Sequence, residues 1–307
     1  MKKNNYYENC TLCPRGCRVN RDIKNGYCGQ SSKLYAAKAY LHKWEEPCIS
    51  GDSGSGTVFF SGCNLKCVYC QNRDIAVGNS GFEITSERLA EIFLEQQENG
   101  ACNINLVTPT HFVPHIIEAL DMVRGKELKI PVVYNCGGYE SVETLKMLKG
   151  YVDIYLPDFK YMDSEAAKKY SNAADYPEIA KAAFDEMVRQ SGESVFDETG
   201  IMQKGVIARH LVLPSYIENS KAVVEYLYNR YGDSIYMSIM NQYTPLEYVR
   251  DYPEINRRLT AAEYDEVLDF AVELGVENAF IQEGGTVSES FIPIFDGEGI
   301  VKNLLTV

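Results

Sequence analysis

No stretch of this sequence approaches the ~20 consecutive apolar residues that a membrane-spanning helix needs. The charged opening Met1-Lys2-Lys3-Asn4-Asn5 is followed by no apolar run of the kind a signal peptide carries. Positive charge is in deficit, with 30 Lys and Arg against 43 Asp and Glu and a net charge of −13. So acidic a surface repels nucleic-acid phosphates and anionic lipid unless a dense basic patch overrides it, and the sequence has none. Internal repeats and low-complexity tracts are missing too. Together these absences predict a cytoplasmic protein with neither nucleic acid nor membrane as partner.

What is present is ordinary globular composition, 45% hydrophobic and 24% charged over 307 residues. That excludes global disorder and leaves open two domains or one α/β barrel. Ten cysteines stand at positions 10, 13, 17, 28, 48, 63, 67, 70, 102 and 136, eight of them within the first 70 residues. In a reducing compartment such clustering points to metal or catalysis more often than to disulfides.

Residues 1–47 have few apolar runs and read as a short Cys-rich N-terminal extension, either a metal-stapled knob or a segment packed on the main body. Over 48–307, strand-like runs at 57–61, 103–108, 131–136, 152–156, 206–213, 234–240 and 278–282 alternate with helix-period segments near 85–99, 112–124, 141–149, 164–190, 219–231 and 260–274. Thr85, Ser141 and Thr260 stand at plausible N-caps, the last with the capping-box partner Glu263. Such alternation implies parallel strands and crossover helices. The expected fold is α/β, a partial (β/α)6-type TIM-like barrel that falls short of eight strands. Polar loops follow the strands at 61–63, 109–111, 137–139, 157–160, 241–243 and 283–285, so one mouth should collect them at the carboxyl ends of the strands. Tyr139, Tyr155, Tyr161 and Tyr243 are placed to see that mouth.

The decisive motif follows the first strand candidate: Gly62-Cys63-Asn64-Leu65-Lys66-Cys67-Val68-Tyr69-Cys70-Gln71-Asn72-Arg73-Asp74. Cys63, Cys67 and Cys70, spaced CxxxCxxC, can ligate three of the four irons of a 4Fe–4S cluster. The fourth iron stays open to an outside ligand, as catalytic zinc sites keep an open position. Gly62 lets the chain turn sharply out of the strand. A zinc site would want four ligands, usually in two close pairs, and no second pair accompanies this one.

This loop, with an aromatic before its last cysteine and a partial α/β barrel behind it, resembles the radical S-adenosylmethionine (SAM) superfamily. Gly56 through Asp74 is similar to pyruvate formate-lyase activating enzymes. Trp44-Glu45-Glu46-Pro47-Cys48-Ile49-Ser50-Gly51 and the N-terminal cysteines resemble an uncharacterised branch of activating-enzyme homologues. The resemblance implies a 4Fe–4S cluster and S-adenosyl-L-methionine as cofactors. It further implies reductive cleavage of SAM to methionine and a 5′-deoxyadenosyl radical, fed by a flavodoxin- or ferredoxin-type donor. It places Tyr69, Thr108, Asn135, Asp158, Lys160 and Tyr243 near SAM. Thr108 stands where the family has a glycine-rich motif, Asp158-Phe159-Lys160 matches its Asp-x-Lys, and Asn135 stands where activating enzymes carry an aspartate of a cation site.

Three functions stay open at this point. The chain activates a glycyl radical enzyme, or modifies another peptide or small metabolite by radical chemistry, or is a non-catalytic iron–sulfur or zinc protein. Cys10, Cys13, Cys17 and Cys28 either hold a second metal, zinc or a 4Fe–4S cluster, or are packed cysteines. Cys48, Cys102 and Cys136 read as small buried hydrophobes, with Cys48 expected close to the cluster loop. His111 and His115 flank Pro114 and suit a helix start better than a metal face. Gly51–Thr57 lacks the Lys-Ser/Thr ending of a phosphate loop and reads as a turn.

Overall fold

The computed structural model describes residues 6–78, 80–282 and 293–301. Parallel strands β2 (Ser55–Phe60), β4 (Ile104–Val107), β5 (Val132–Cys136), β6 (Ile154–Pro157), β8 (Met202–Leu211), β9 (Tyr236–Met240) and β10 (Ala279–Ile281) form one sheet. All seven predicted strands fall on these. Antiparallel β1 (Leu34–His42) and β3 (Phe82–Ile84) extend one edge, and β7 (Val195–Phe196) pairs beside β8. The order is β10-β9-β8-β6-β5-β4-β2-β1-β3. Strand β1 lies within the segment 1–47 that the sequence sets apart, yet it belongs to the same sheet. The end strands β3 and β10 do not pair among the described residues, so the sheet is open and closure into a barrel is not seen.

Helices α3 (Ser86–Glu98), α4 (Val113–Val123), α5 (Val142–Met147), α7 (Tyr176–Ser191), α8 (Ile217–Tyr231) and α9 (Ala261–Leu274) cross between the strands, with the short α1 (Pro47–Ser50), α2 (Arg73–Ala76) and α6 (Ser164–Ser171) in the loops. Thr85 caps α3 by accepting the Arg88 amide, and Thr260 with Glu263 completes a capping box on α9. Ser141 precedes α5 without a side-chain cap bond. The single helix expected over 164–190 is two. Asn172, in the left-handed region at φ 49°, ends α6, and Pro177 starts α7 in its first turn.

Strand residues alternate between two cores. Tyr134, Tyr155, Val206 and Ala208 face the helices, whereas Val133, Ile154, Leu156 and Ile207 face inward onto Cys48 and Ile49 of α1. The segment 45–50 therefore fills the hollow of the sheet. One side chain, Glu45, reaches Asn105 of β4, Asn135 of β5 and Arg209 of β8, which requires the sheet to curl around it.

Candidate active site

The loop after β2 leaves the sheet at Gly62, whose φ is 87°. A Cβ there would stand 2.7 Å from the Cys28 carbonyl oxygen and 2.6 Å from Gln30 Cγ, so the close approach of the N-terminal segment also demands glycine. Lys66, φ 54°, makes the second turn and brings Cys67 round toward Cys63. The Cys63 sulfur accepts the Leu65 amide at 3.3 Å, and Cys67 receives the Ser171 hydroxyl at 2.9 Å. That hydroxyl continues a chain through Tyr161 (2.8 Å) to Tyr69 (2.7 Å).

All three cysteines are free thiols. Burial raises the pKa of Cys63 and pushes Cys70 up to about 12; neighbouring thiols add to both and Lys160 opposes. Cys63 and Cys70 thus stay neutral thiols until a metal displaces their protons, as expected of a thiolate metal site. Among the described residues no three His, Cys, Asp or Glu side chains converge on one point closely enough for a single ion. A zinc ion, whose donors stand about 2.3 Å from one centre, fits this loop poorly. Three thiols spread around a loop with no fourth partner suit a larger cluster with an open iron.

Behind the loop sits a chain of charges. Lys160 Nζ lies 2.5 Å from Asp158 Oδ2, and Arg209 Nε lies 3.0 Å from Asp158 Oδ1. Arg209 Nη1 is 3.1 Å from Glu45 Oε2, and its Nη2 donates to Asn135 Oδ1 at 2.6 Å. Burial works against the charge on Lys160, but Asp158 outweighs it, joined by Cys67 and Cys70 in their ionised form, and its pKa is raised. Burial likewise opposes ionisation of Asp158, yet Lys160 and Arg209 hold its carboxyl below the usual value. Lys160 is thus a fixed cation facing the thiols and held by Asp158.

Of these groups Glu45, Asn135 and Arg209 border a cavity of about 400 Å³, walled also by Gln71, Val107 and Gln242 among others. His42 also faces it and is neutral at pH 7, because burial and then Arg209 bring its pKa down to about 4. Glu45 and Arg209 are the groups that sequence reasoning assigned no role. The signal for Arg209 was a polar residue at an inward strand position, shared with Asn105 and Asn135; Glu45 lies in the connection between β1 and α1 and carried no such signal.

The other expected residues divide. Asn135, Asp158 and Lys160 come together as predicted positions, with Arg209 tying the first two. Thr108 ends β4 in the left-handed region, φ 58°, its amide bonded to the Asn135 carbonyl. Tyr69 and Tyr243 stand edge to face at 6.2 Å, and the Tyr243 hydroxyl donates to the Ile255 carbonyl. Neither hydroxyl reaches the cavity; Gln71 and Gln242, joined at 3.1 Å, take that wall. Tyr155 faces the helices and donates to Gln190, so it does not see the mouth. Cys48 lies at the opposite end of the strands from the cluster loop, lining a cleft of about 760 Å³ with Cys102. The 283–285 loop lies outside the described residues.

Residues 57–202 match the model of the radical SAM superfamily. An uncharacterized protein of Methanocaldococcus jannaschii is 31% identical over 282 residues, 89% of this chain and 77% of its own length. The chain belongs to the radical SAM superfamily. Pyruvate formate-lyase-activating enzyme of Clostridium pasteurianum is 25% identical over 184 residues, 57% of this chain and 68% of that enzyme. Among solved structures, Streptococcus suis SuiB bound to its precursor peptide SuiA shares the fold, with a TM-score of 0.50 and 16% identity. The match covers 72% of this chain and under half, 46%, of SuiB. Radical SAM membership makes this chain an enzyme and implies a 4Fe–4S cluster and SAM as cofactors. The non-catalytic alternative is set aside.

Proposed function

We propose that this radical SAM enzyme holds its cluster on Cys63, Cys67 and Cys70 and abstracts hydrogen from a peptide, most specifically a glycine of a glycyl radical enzyme. When bound, the cluster and SAM supply a one-electron cleavage that yields methionine and a 5′-deoxyadenosyl radical. The chain's own residues position and shield. Lys160 faces the thiols as a fixed cation, suited to the methionine carboxylate. Asp158 holds that lysine and is itself held by Arg209, and the buried Tyr69, Tyr161 and Ser171 back the loop and exclude water. A flavodoxin- or ferredoxin-type donor in the cytoplasm supplies the electron. The four N-terminal thiols form a second metal centre in this reading.

The observation that carries the reading is the juxtaposition of the CxxxCxxC thiols with the Asp158–Lys160 pair at the carboxyl ends of β2 and β6. The peptide target rests on similarity to the Clostridium enzyme. A small metabolite is the second reading, favoured by the segment 45–50, which fills the hollow and leaves a cavity of only about 400 Å³. Anaerobically reconstituted protein, given dithionite and SAM, should release 5′-deoxyadenosine, and a Cys63/Cys67/Cys70 triple alanine variant should release none. Deuterium carried from a glycine-labelled glycyl radical enzyme into that product supports the peptide target. Label absent while 5′-deoxyadenosine still forms sinks it.

A further inference from the structure

Residues 6–33 form a lobe of turns with no helix or strand of their own. Among the described residues their apolar cluster is only Tyr7, Cys10 and Leu12, with Cys17 against it. So small a core does not hold a segment of this length in one shape, and a metal is a common substitute. Four thiols gather there. A Cβ on Gly26 would stand 3.4 Å from the Cys28 sulfur and 3.5 Å from that of Cys17. The Cys17 sulfur lies 4.0 Å from the Cys10 carbonyl oxygen and packs against the apolar cluster that Cys10 belongs to.

Arg21 adds a second, independent observation. It is 1% exposed, and its guanidinium donates to the carbonyls of Gln30, Ser31 and His111, with Nη1 4.0 Å from the Cys10 sulfur. No carboxylate lies within ion-pair distance of it among the described residues. A buried cation without a counter-charge is strongly destabilising. Four thiolates on a metal carry net negative charge and would supply one.

The lobe is fastened to the catalytic loop itself. The Cys63 amide donates to the Cys28 carbonyl at 3.3 Å, and Arg15 Nε donates to the Asn64 carbonyl at 2.8 Å. Two residues that each offer a metal-binding thiol are thus joined by one hydrogen bond. Zinc, which is redox-inert, would gain nothing from that adjacency.

Resting on the second metal centre of the reading above, we infer that Cys10, Cys13, Cys17 and Cys28 ligate a 4Fe–4S cluster that relays electrons to the catalytic one. One electron from a protein donor reduces this cluster from its 2+ to its 1+ state, and the donor is oxidised by one electron. The same electron then passes to the cluster at Cys63–Cys70, returning the relay to 2+. No proton moves and no bond changes in either transfer.

The test uses full-length protein, anaerobically reconstituted, with Cys13→Ser/Cys17→Ser beside it. The parent should carry about eight irons and eight sulfides per chain and the variant about four. Dithionite reduces either cluster directly, so 5′-deoxyadenosine formation by the variant should stay within about twofold of the parent. With reduced flavodoxin as the only donor it should fall about tenfold or more. Should the double variant not fold, the spin count of the dithionite-reduced parent decides, about two per chain against one. About four irons plus one zinc overturns the iron–sulfur identity. About four irons and no other metal overturns the second centre while leaving SAM cleavage at Cys63–Cys70 intact. Eight irons in the parent with undiminished flavodoxin-driven turnover in the variant overturns the relay.

Discussion

Arg209→Gln takes one cation out of a cavity where it meets Glu45 at 3.1 Å, Asp158 at 3.0 Å and Asn135 at 2.6 Å. Asp158 keeps Lys160, but Glu45 keeps only the amides of Asn105 and Asn135. Removing one partner of a buried pair destabilises by about 3–5 kcal/mol. A second route reaches a similar figure. If Glu45 takes up a proton instead, moving it from its free value near 4.3 to neutrality at pH 7 costs about 4 kcal/mol. The second route carries a pH signature. Burial already raises the Glu45 pKa and Arg209 opposes that rise, so the variant raises it further. For an acid with a raised folded pKa, stability is complete at low pH and is lost as pH rises through the folded value. Urea denaturation should therefore show a loss of about 3–4 kcal/mol near pH 7, shrinking to about 1 kcal/mol near pH 5. Adding Glu45→Gln should restore more than half of the loss, because it removes the stranded charge. A deficit under about 1 kcal/mol near pH 7, or one that neither acid nor the second substitution relieves, refutes the ion network as the organiser of this cavity.

The parallel strands were legible because both faces of the sheet are buried, which leaves continuous apolar runs such as Ile154–Pro157 between turn signals. Strand β1 was not, since its Leu-Tyr-Ala-Ala-Lys-Ala-Tyr-Leu-His is rich in residues of low strand propensity and is extended by pairing with β2. The break between α6 and α7 did leave a trace, Asn172 followed by Pro177, that the helical period outweighed. At the site, the three cysteines proposed to hold the cluster lie close together in sequence and so declare themselves. Glu45 meets Arg209 across 164 residues, and that meeting follows only from the path of segment 45–50 through the curled sheet. The same holds for the N-terminal lobe: its cysteine spacing was visible, but its contact with the Cys63 amide was not. Tyr243 was misplaced for a related reason. Sequence position puts it beside the mouth, whereas its hydroxyl is taken by Ile255 and its neighbour Gln242 turns to the cavity.

Lys160→Met should leave the fold and the iron content intact while weakening SAM binding or cleavage about tenfold, ~1.4 kcal/mol, measured by equilibrium binding and 5′-deoxyadenosine release. Parental affinity and rate in that variant would detach the Asp158–Lys160 pair from SAM. Glu140, fully buried and accepting the hydroxyls of Thr110 (2.8 Å) and Tyr134 (3.0 Å), is raised by burial to about 7. Its contribution to stability is therefore complete below about 4.5 and lost as pH rises through about 7, so Glu140→Gln should match the parent near pH 5 and exceed it by about 2–3 kcal/mol near pH 8. Equal pH profiles for the two proteins would contradict this. Thr108 is a β-branched residue held at φ 58°, a conformation that is disfavoured by about 1–2 kcal/mol for any side chain and absent as a penalty for glycine. Thr108→Gly gains that relief but frees the unfolded chain by about 0.5–1 kcal/mol, so a net stabilisation of about 0.5–1 kcal/mol is expected. If SAM affinity falls in the same variant, the hydroxyl is part of the cofactor site. A variant less stable than the parent would show that the Thr108 side chain contributes more packing than its backbone strain removes.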